Sequence, residues 1–344
     1  MSNDTVLYRK YRPAKFKDVL GQDHVVSALQ GAIDEGNVGH AYLFYGSRGT
    51  GKTSIARIFA HELNASDTDI HEIDAASFTG VDHIRTLREE VAVLPFESPR
   101  KVYIVDEVHM LSKAAFNAFL KTLEEPPAHV VFVLATTELE KVPDTIQSRC
   151  QVFTFKKPTT KVVADMVVKV AKAEGYAFEK ASGELVALLS SGSFRDALSI
   201  LQKIIASSSD KKISVEEVER ITGAPKSELI ARVMRALAKG EADDALQAVG
   251  EAVSANADME MFMTLLLDRM RGLLLLRYAK SVGEGVIENF PEAEQITLRE
   301  LAGDTASKIN SETLRKLIEA AMMTSRSPVP HLPLELAIME LTAL

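Results

Sequence analysis

Residues 46 to 53 read Gly46-Ser47-Arg48-Gly49-Thr50-Gly51-Lys52-Thr53, the pattern GxxxxGK[ST]. This string constrains the fold more than any other in the chain, because it works only between a buried strand and the first turn of a helix. The apolar run Ala41–Tyr45 precedes it and a helical pattern, Ser54–Leu63, follows it. Glycines let backbone N–H groups turn inward around phosphate oxygens, and the helix N-terminus adds a positive dipole end. Lys52 is placed to neutralise phosphates and the Thr53 hydroxyl to ligate Mg²⁺. Gly46 to Thr53, with Ser54, are the candidate phosphate-binding residues.

Two further apolar runs, Val102–Val105 and Val130–Ala135, are rich in Val, Ile and aromatics. Continuous runs of that length suit strands of a parallel sheet buried on both faces. Helical patterns at Asp82–Val93 and Ser112–Glu125 alternate with them, the second stopped by Pro126-Pro127. This β-α-β-α order predicts an α/β domain. The run at Val102 ends in Asp106-Glu107. Carboxylates at the C-terminal end of a parallel strand face the crevice where ligands bind. Asp106 is therefore the second candidate Mg²⁺ ligand, and Glu107 the candidate to orient and polarise an attacking water.

Beyond Pro158 strand signals nearly vanish. Helical periodicity runs through Lys161–Ala173, Ala181–Ser191 and Arg195–Ala206, and Ser214 with Glu217 reads as a capping box. After a second boundary at Gly223-Ala224-Pro225 come helices near Ser227–Lys239, Ala242–Ser254, Met259–Val282, Ser311–Thr324 and Leu334–Leu344. Three domains are expected: 1–157, 158–222 and 223–344.

Composition excludes several classes. With 46% hydrophobic and 26% charged residues the chain is an ordinary globular one. Its one cysteine, Cys150, rules out an internal disulfide and any multi-cysteine zinc site. Together with an N-terminus that lacks an apolar signal core, it predicts a cytoplasmic protein. No stretch approaches the roughly 20 apolar residues of a membrane span. The net charge of −8 requires that any contact with nucleic acid come from a local patch or from assembly.

Residue type alone leaves other positions open. Thr136 or Thr137 at a strand end fits either a hydroxyl ligand or an ordinary strand residue. Arg149 and Arg195 read equally well as surface charges. His109 and Cys150 read as packing residues, and Met259, Met261, Met263 and Met270 as helix-packing residues. To this point the residues describe a Mg²⁺–nucleotide hydrolase, with no indication of what hydrolysis drives.

A wider set of strings carries a resemblance. These are Leu7-Tyr8-Arg9-Lys10-Tyr11-Arg12-Pro13 with Val19-Leu20-Gly21-Gln22, then Asp106 to Ser112, Phe116 to Pro127, Ser148-Arg149-Cys150 and Arg195-Asp196-Ala197-Leu198-Ser199. The chain resembles the AAA+ clamp-loader ATPases, and among them the γ/τ subunits of bacterial DNA polymerase III. The resemblance implies an AAA+ nucleotide domain, a small helical lid and an all-α collar that joins subunits. It implies that Arg12, Pro13, Val19 and Leu20 line the adenine and that Thr137 takes the first sensor position. It makes Arg195 the lid arginine on the γ-phosphate and Arg149 a finger reaching a neighbour's ATP. It implies a pentameric ring with copies of itself and δ- and δ′-type subunits, acting on a sliding clamp and primer–template DNA. Arg85 and Lys121 are candidate DNA contacts.

The sequence departs from that family in one place. A four-cysteine zinc module usually follows the phosphate-loop helix; here the connection is Asn64 to Asp69, without cysteine. No zinc is expected. The Asn64-Ala65-Ser66-Asp67 string is similar to that of replication factor C small subunits, which gives one alternative reading. A mainly structural AAA+ scaffold is another. The longer family members continue past the collar; this chain is expected to stop with it at Leu344.

Overall fold

The computed structural model describes residues 6–77, 81–208, 210–288 and 290–343, with the side chains of residues 81–83, 85 and 293 outside the description. The chain divides into two compact units. One comprises Met1–Val162 with Gly192–Leu198, the other Val163–Ser191 with Ser199–Leu344.

The first unit is built on five parallel strands: β1 (Ala41–Tyr45), β2 (Ile70–Asp74), β3 (Lys101–Asp106), β4 (Val130–Thr136) and β5 (Gln151–Thr154). Their order across the sheet is β2-β3-β4-β1-β5. The register sets Phe44 beside Ala135 and Ile104 beside Val133. Because side chains alternate, each central strand feeds two cores. Tyr42, Phe44, Ile104 and Val133 bury one face against helices Asp23–Asp34 and Lys52–Glu62. Leu43, Tyr103, Val105 and Phe132 bury the other against helices Val81–Ala92 and Lys113–Glu124. Phe59 of the phosphate-loop helix meets Tyr42 edge-on at 4.8 Å, and Phe119 meets Phe132 edge-on at 5.2 Å. Truncating either phenylalanine to alanine would cost about 3–5 kcal/mol.

Both sheet edges are half-exposed, and their hydrogen-bonding groups are met by side chains. Beside β5, the buried Gln22 amide donates to the Lys156 carbonyl at 2.6 Å and accepts from its N–H at 3.1 Å. His24 Nε2 donates to the Thr154 carbonyl at 2.8 Å. Next to β2, the buried Asp69 carboxylate gathers the N–H groups of Phe96, Glu97 and Ser98 at 2.7–2.9 Å and the Ser66 hydroxyl at 3.2 Å. Those bonds outweigh the cost of burial and hold Asp69 well below the usual carboxylate range. The cysteine-free connection therefore ends in a carboxylate that ties down the 96–98 loop.

The second unit is helical, apart from a short parallel pair, Ala177–Phe178 with Lys212–Ile213. Ser214 accepts from the Glu217 N–H at 3.4 Å, as its spacing predicts. Helix Met259–Tyr278 is buried nearly all round, with Phe262, Leu266, Met270 and Leu273 at its core. Met259 and Met263 are buried there and Met261 packs on the same cluster, which makes them core residues. The single helix expected over Met259–Val282 instead breaks at Ala279, and a second, Lys280–Ile287, folds back. Gly283 permits the return: a Cβ there would collide with the Leu276 backbone. Helix Glu292–Gly303 and the reciprocal Asn310–Thr313 capping box, both unanticipated, complete the packing with Ser311–Thr324 and Leu332–Thr342. Among the described residues no helix is long and apolar enough to cross a membrane.

Candidate active site

The phosphate loop leaves β1 and enters helix Lys52–Glu62 where the pattern requires. The loop is tied by its own side chains. Thr50 Oγ1 donates to the Ser47 carbonyl at 2.9 Å. Lys52 Nζ donates to the carbonyls of Gly46 and Ser47 at 2.8 and 3.0 Å. Ser47 and Arg48 are exposed, while Thr50 and Lys52 are buried. Burial pushes the Lys52 ammonium below the ordinary lysine value; Glu107 and Asp106 oppose that push and Arg195 adds to it.

The acidic pair stands beside this loop at the end of β3. Thr53 Oγ1 donates to Asp106 Oδ2 at 2.8 Å, and Asp106 Oδ1 accepts from the Glu107 N–H at 3.0 Å. Glu107 has φ +48°, a left-handed conformation uncommon for a residue with a side chain. Strain of that kind persists where the surroundings hold it. Here Thr137, just past the end of β4, donates to Glu107 Oε2 at 3.1 Å. The hydroxyl of Thr53 and the carboxylate of Asp106 form an all-oxygen donor pair that fits a hard cation such as Mg²⁺.

Arg195 joins the same site through the backbone. The Phe194 N–H bonds the Gly49 carbonyl at 3.1 Å. Gly49 has φ +74°, and a Cβ there would collide with Ser193 Oγ and stand 2.9 Å from Ser193 Cβ. Only glycine allows the phosphate loop to lie this close to the 193–195 segment. The Arg195 guanidinium lies over the Tyr8 ring at 5.7 Å. Arg12 is half-buried and held below the usual arginine value, first by burial, then by Arg57; Glu72 opposes, while Arg195 and Arg9 add to the lowering. Arg9, Arg12, Arg57 and Arg195 thus concentrate positive charge on one side of the site. Pro13 and Val19 are half-buried and Leu20 is 44% exposed.

Arg149 is engaged elsewhere. Following the short helix Asp144–Gln147, its guanidinium pairs with Glu124 at 2.7 Å and donates to the Thr145 carbonyl at 2.8 Å. Lys121 is exposed on helix Lys113–Glu124. Arg85 lies on helix Val81–Ala92, with its side chain outside the described residues. Cys150 is half-buried against the core, and burial pushes its thiol up to about 12.

The packing role expected of His109 needs correction. Its side chain is 6% exposed, but both ring nitrogens face polar partners: Thr136 Oγ1 at 3.0 Å, Glu107 Oε2 at 3.4 Å and Glu138 Oε1 at 3.2 Å. Sequence position alone gave no sign of this, since Thr136 and Glu138 lie on another strand.

Comparison with known proteins places this geometry. Residues 21–77 and 64–159 match the family described as DNA polymerase III, delta subunit, and residues 213–344 match DNA polymerase III subunits gamma and tau domain III. The DNA polymerase III subunit tau of Bacillus subtilis is 41% identical over 334 residues, 91% of this chain and 58% of that one. The gamma/tau subunit of Mycobacterium tuberculosis H37Rv is 36% identical, covering 91% and 57%. The tau subunit of Escherichia coli K12 is 36% identical, covering 95% and 53%. The chain thus spans somewhat more than half the length of these relatives. Among solved structures, the RuvB Holliday junction branch migration motor of Thermotoga maritima aligns with TM-score 0.54 at 21% identity, covering 66% of this chain and 79% of that one. A likeness at that identity shows the fold alone, an α/β AAA+ nucleotide domain. Identity of 36–41% sustained over nine-tenths of the sequence says more: the chain belongs to the γ/τ family of DNA polymerase III clamp-loader subunits, within the AAA+ ATPases.

Proposed function

We propose that the chain is an ATP-hydrolysing subunit of a DNA polymerase III clamp loader. In this reading ATP binding and hydrolysis drive the opening of a sliding clamp and its loading onto primer–template DNA. The observation that carries the proposal is the Thr53–Asp106 contact at 2.8 Å beside a Glu107 held by Thr137. It supports a complete set of hydrolytic groups where a scaffold subunit needs none.

Each group has a defined task. The backbone of Gly46 to Thr53, with Ser54, cradles the phosphates, and Lys52 neutralises them. Arg12, Pro13, Val19 and Leu20 bound the base. Thr53 and Asp106 hold Mg²⁺, whose charge, when bound, offsets that of the phosphate oxygens. Glu107 orients the water and accepts its proton, with Thr137 fixing the carboxylate. Arg195 faces the γ-phosphate within the subunit. Arg149 acts in trans on a neighbour's nucleotide, where a supplied arginine is worth orders of magnitude in rate. The functional division follows 1–157 as ATPase domain, 158–222 as lid and 223–344 as collar. The collar joins copies of the chain and δ- and δ′-type subunits in a five-membered ring in the cytoplasm. Arg85 and Lys121 are the proposed DNA contacts.

The test is DNA-stimulated ATP turnover by the assembled complex with clamp and primed DNA. Lys52→Ala and Arg149→Ala should each abolish most of it, and unchanged rates with either would sink the mechanism. Failure of the chain to bind labelled ATP would favour the scaffold reading.

A further inference from the structure

We infer that His109 is a positioning residue for Glu107, holding the carboxylate against the end of β4. The inference rests on the hydrolytic reading of the site and concerns how its carboxylate is fixed.

The argument begins with Thr136, which is fully buried. Its Oγ1 donates to the Glu138 carbonyl at 3.2 Å and accepts from the Glu138 N–H at 3.0 Å. A hydroxyl has one proton to donate. With that proton used, its remaining lone pair faces His109 Nδ1 at 3.0 Å, and Nδ1 is therefore the donor. The same N–H faces Glu107 Oε2 at 3.4 Å. Across the ring, Nε2 faces Glu138 Oε1 at 3.2 Å. Glu138 is itself anchored: its other oxygen pairs with Lys141 at 2.8 Å, which holds it below the usual carboxylate range.

Two segments that are distant in sequence thus meet at one oxygen. Thr137 reaches Glu107 Oε2 from the end of β4, and His109 reaches it from the turn after β3. The imidazole also reaches back to Thr136 and Glu138, on either side of Thr137. It acts as a strut between the strand that carries the carboxylate and the strand end that carries its hydroxyl partner. With Oε2 held from two sides, rotation of the carboxylate is restricted and the position of Oε1 follows. Misplacing a reacting group by about 1 Å costs on the order of a hundredfold in rate. Binding of the nucleotide phosphates uses other residues, so the strut should act on turnover and not on affinity.

The experiment compares wild type, Glu107→Gln, His109→Ala and His109→Asn, each assembled with partner subunits, clamp and primed DNA. It measures kcat, the Kd for ATP and the melting temperature. His109→Ala should lower kcat at least about tenfold, with Kd within about twofold. His109→Asn places an amide N–H near the Nδ1 position and should recover most of the loss. Wild-type turnover by His109→Ala, while Glu107→Gln is inactive, overturns the inference alone. So does a joint loss of turnover, affinity and melting temperature, or an asparagine variant no better than alanine. Wild-type turnover by Glu107→Gln overturns instead the hydrolytic reading on which the inference rests.

Discussion

Thr53 and Asp106 lie 53 positions apart and meet through a 2.8 Å hydroxyl–carboxylate hydrogen bond. One stands in the first turn after the phosphate loop, the other at the last residue of β3. The contact joins the phosphate-binding and water-activating halves of the site, and a cation held by both residues would lie between them.

Asp106→Asn should therefore lower Mg²⁺-dependent ATP turnover about a hundredfold or more while nucleotide still binds in the presence of a chelator. Because Thr53 and Asp106 share one contact, Thr53→Ala combined with Asp106→Asn should cost less than the sum of the single losses. Turnover assays paired with fluorescent-nucleotide titrations check both statements.

Gly49→Ala should damage the site by two routes. The left-handed backbone costs about 1–2 kcal/mol for a residue with a Cβ. The new Cβ also pushes Ser193, and with it the segment bearing Arg195. We expect a lower denaturation midpoint and an ATP affinity weakened about tenfold, read by urea unfolding and nucleotide titration. Wild-type affinity would show that the 193–195 segment does not depend on this contact.

Asp69 predicts an acid-sensitive contribution to stability. Its folded value is depressed, so its contribution is complete above the unfolded value of about 3.9 and is lost as pH falls through the lower folded value. Asp69→Ala leaves the N–H groups of Phe96, Glu97 and Ser98 without their acceptor and should cost about 2–4 kcal/mol near neutral pH. Urea melts across a pH series should show the wild-type advantage shrinking below about pH 4. An advantage constant down to pH 2 would contradict the assignment.

Cys150 should be nearly inert in the folded chain. A thiol pushed up to about 12 by burial has about one part in ten thousand as thiolate at pH 8, and the thiolate is the reactive form. Labelling with an aromatic disulfide reagent should be slow in buffer and fast in denaturant. Rapid labelling of the folded protein would show that the thiol is exposed.

The sequence made some elements plain and hid others for physical reasons. β1, β3 and β4 are buried on both faces, so their apolar runs are continuous and could be read directly. β2 and β5 lie at the sheet edges. His71, Glu72 and Asp74 interrupt one, and Gln151 and Thr154 begin and end the other, so neither shows an unbroken apolar signal. The break at Ala279 was equally hidden, because the apolar pattern runs through it and the cause is the approach of Gly283 to Leu276. In the site, the loop and acidic pair were legible because their chemistry depends on adjacent residues. The surroundings of His109 were not, since its partners come from a strand almost thirty positions away.

The side chains along β5 have a consequence for solubility as a single folded species. An edge strand offers unpaired backbone groups on which another chain can build. Gln22 presents an amide to Lys156 much as a neighbouring peptide would, and His24 occupies the Thr154 carbonyl. Two side chains from the start of one helix thus stand in for a sixth strand. The edge is closed to a stray strand without lengthening the sheet, which protects the chain from edge-to-edge aggregation while it awaits assembly.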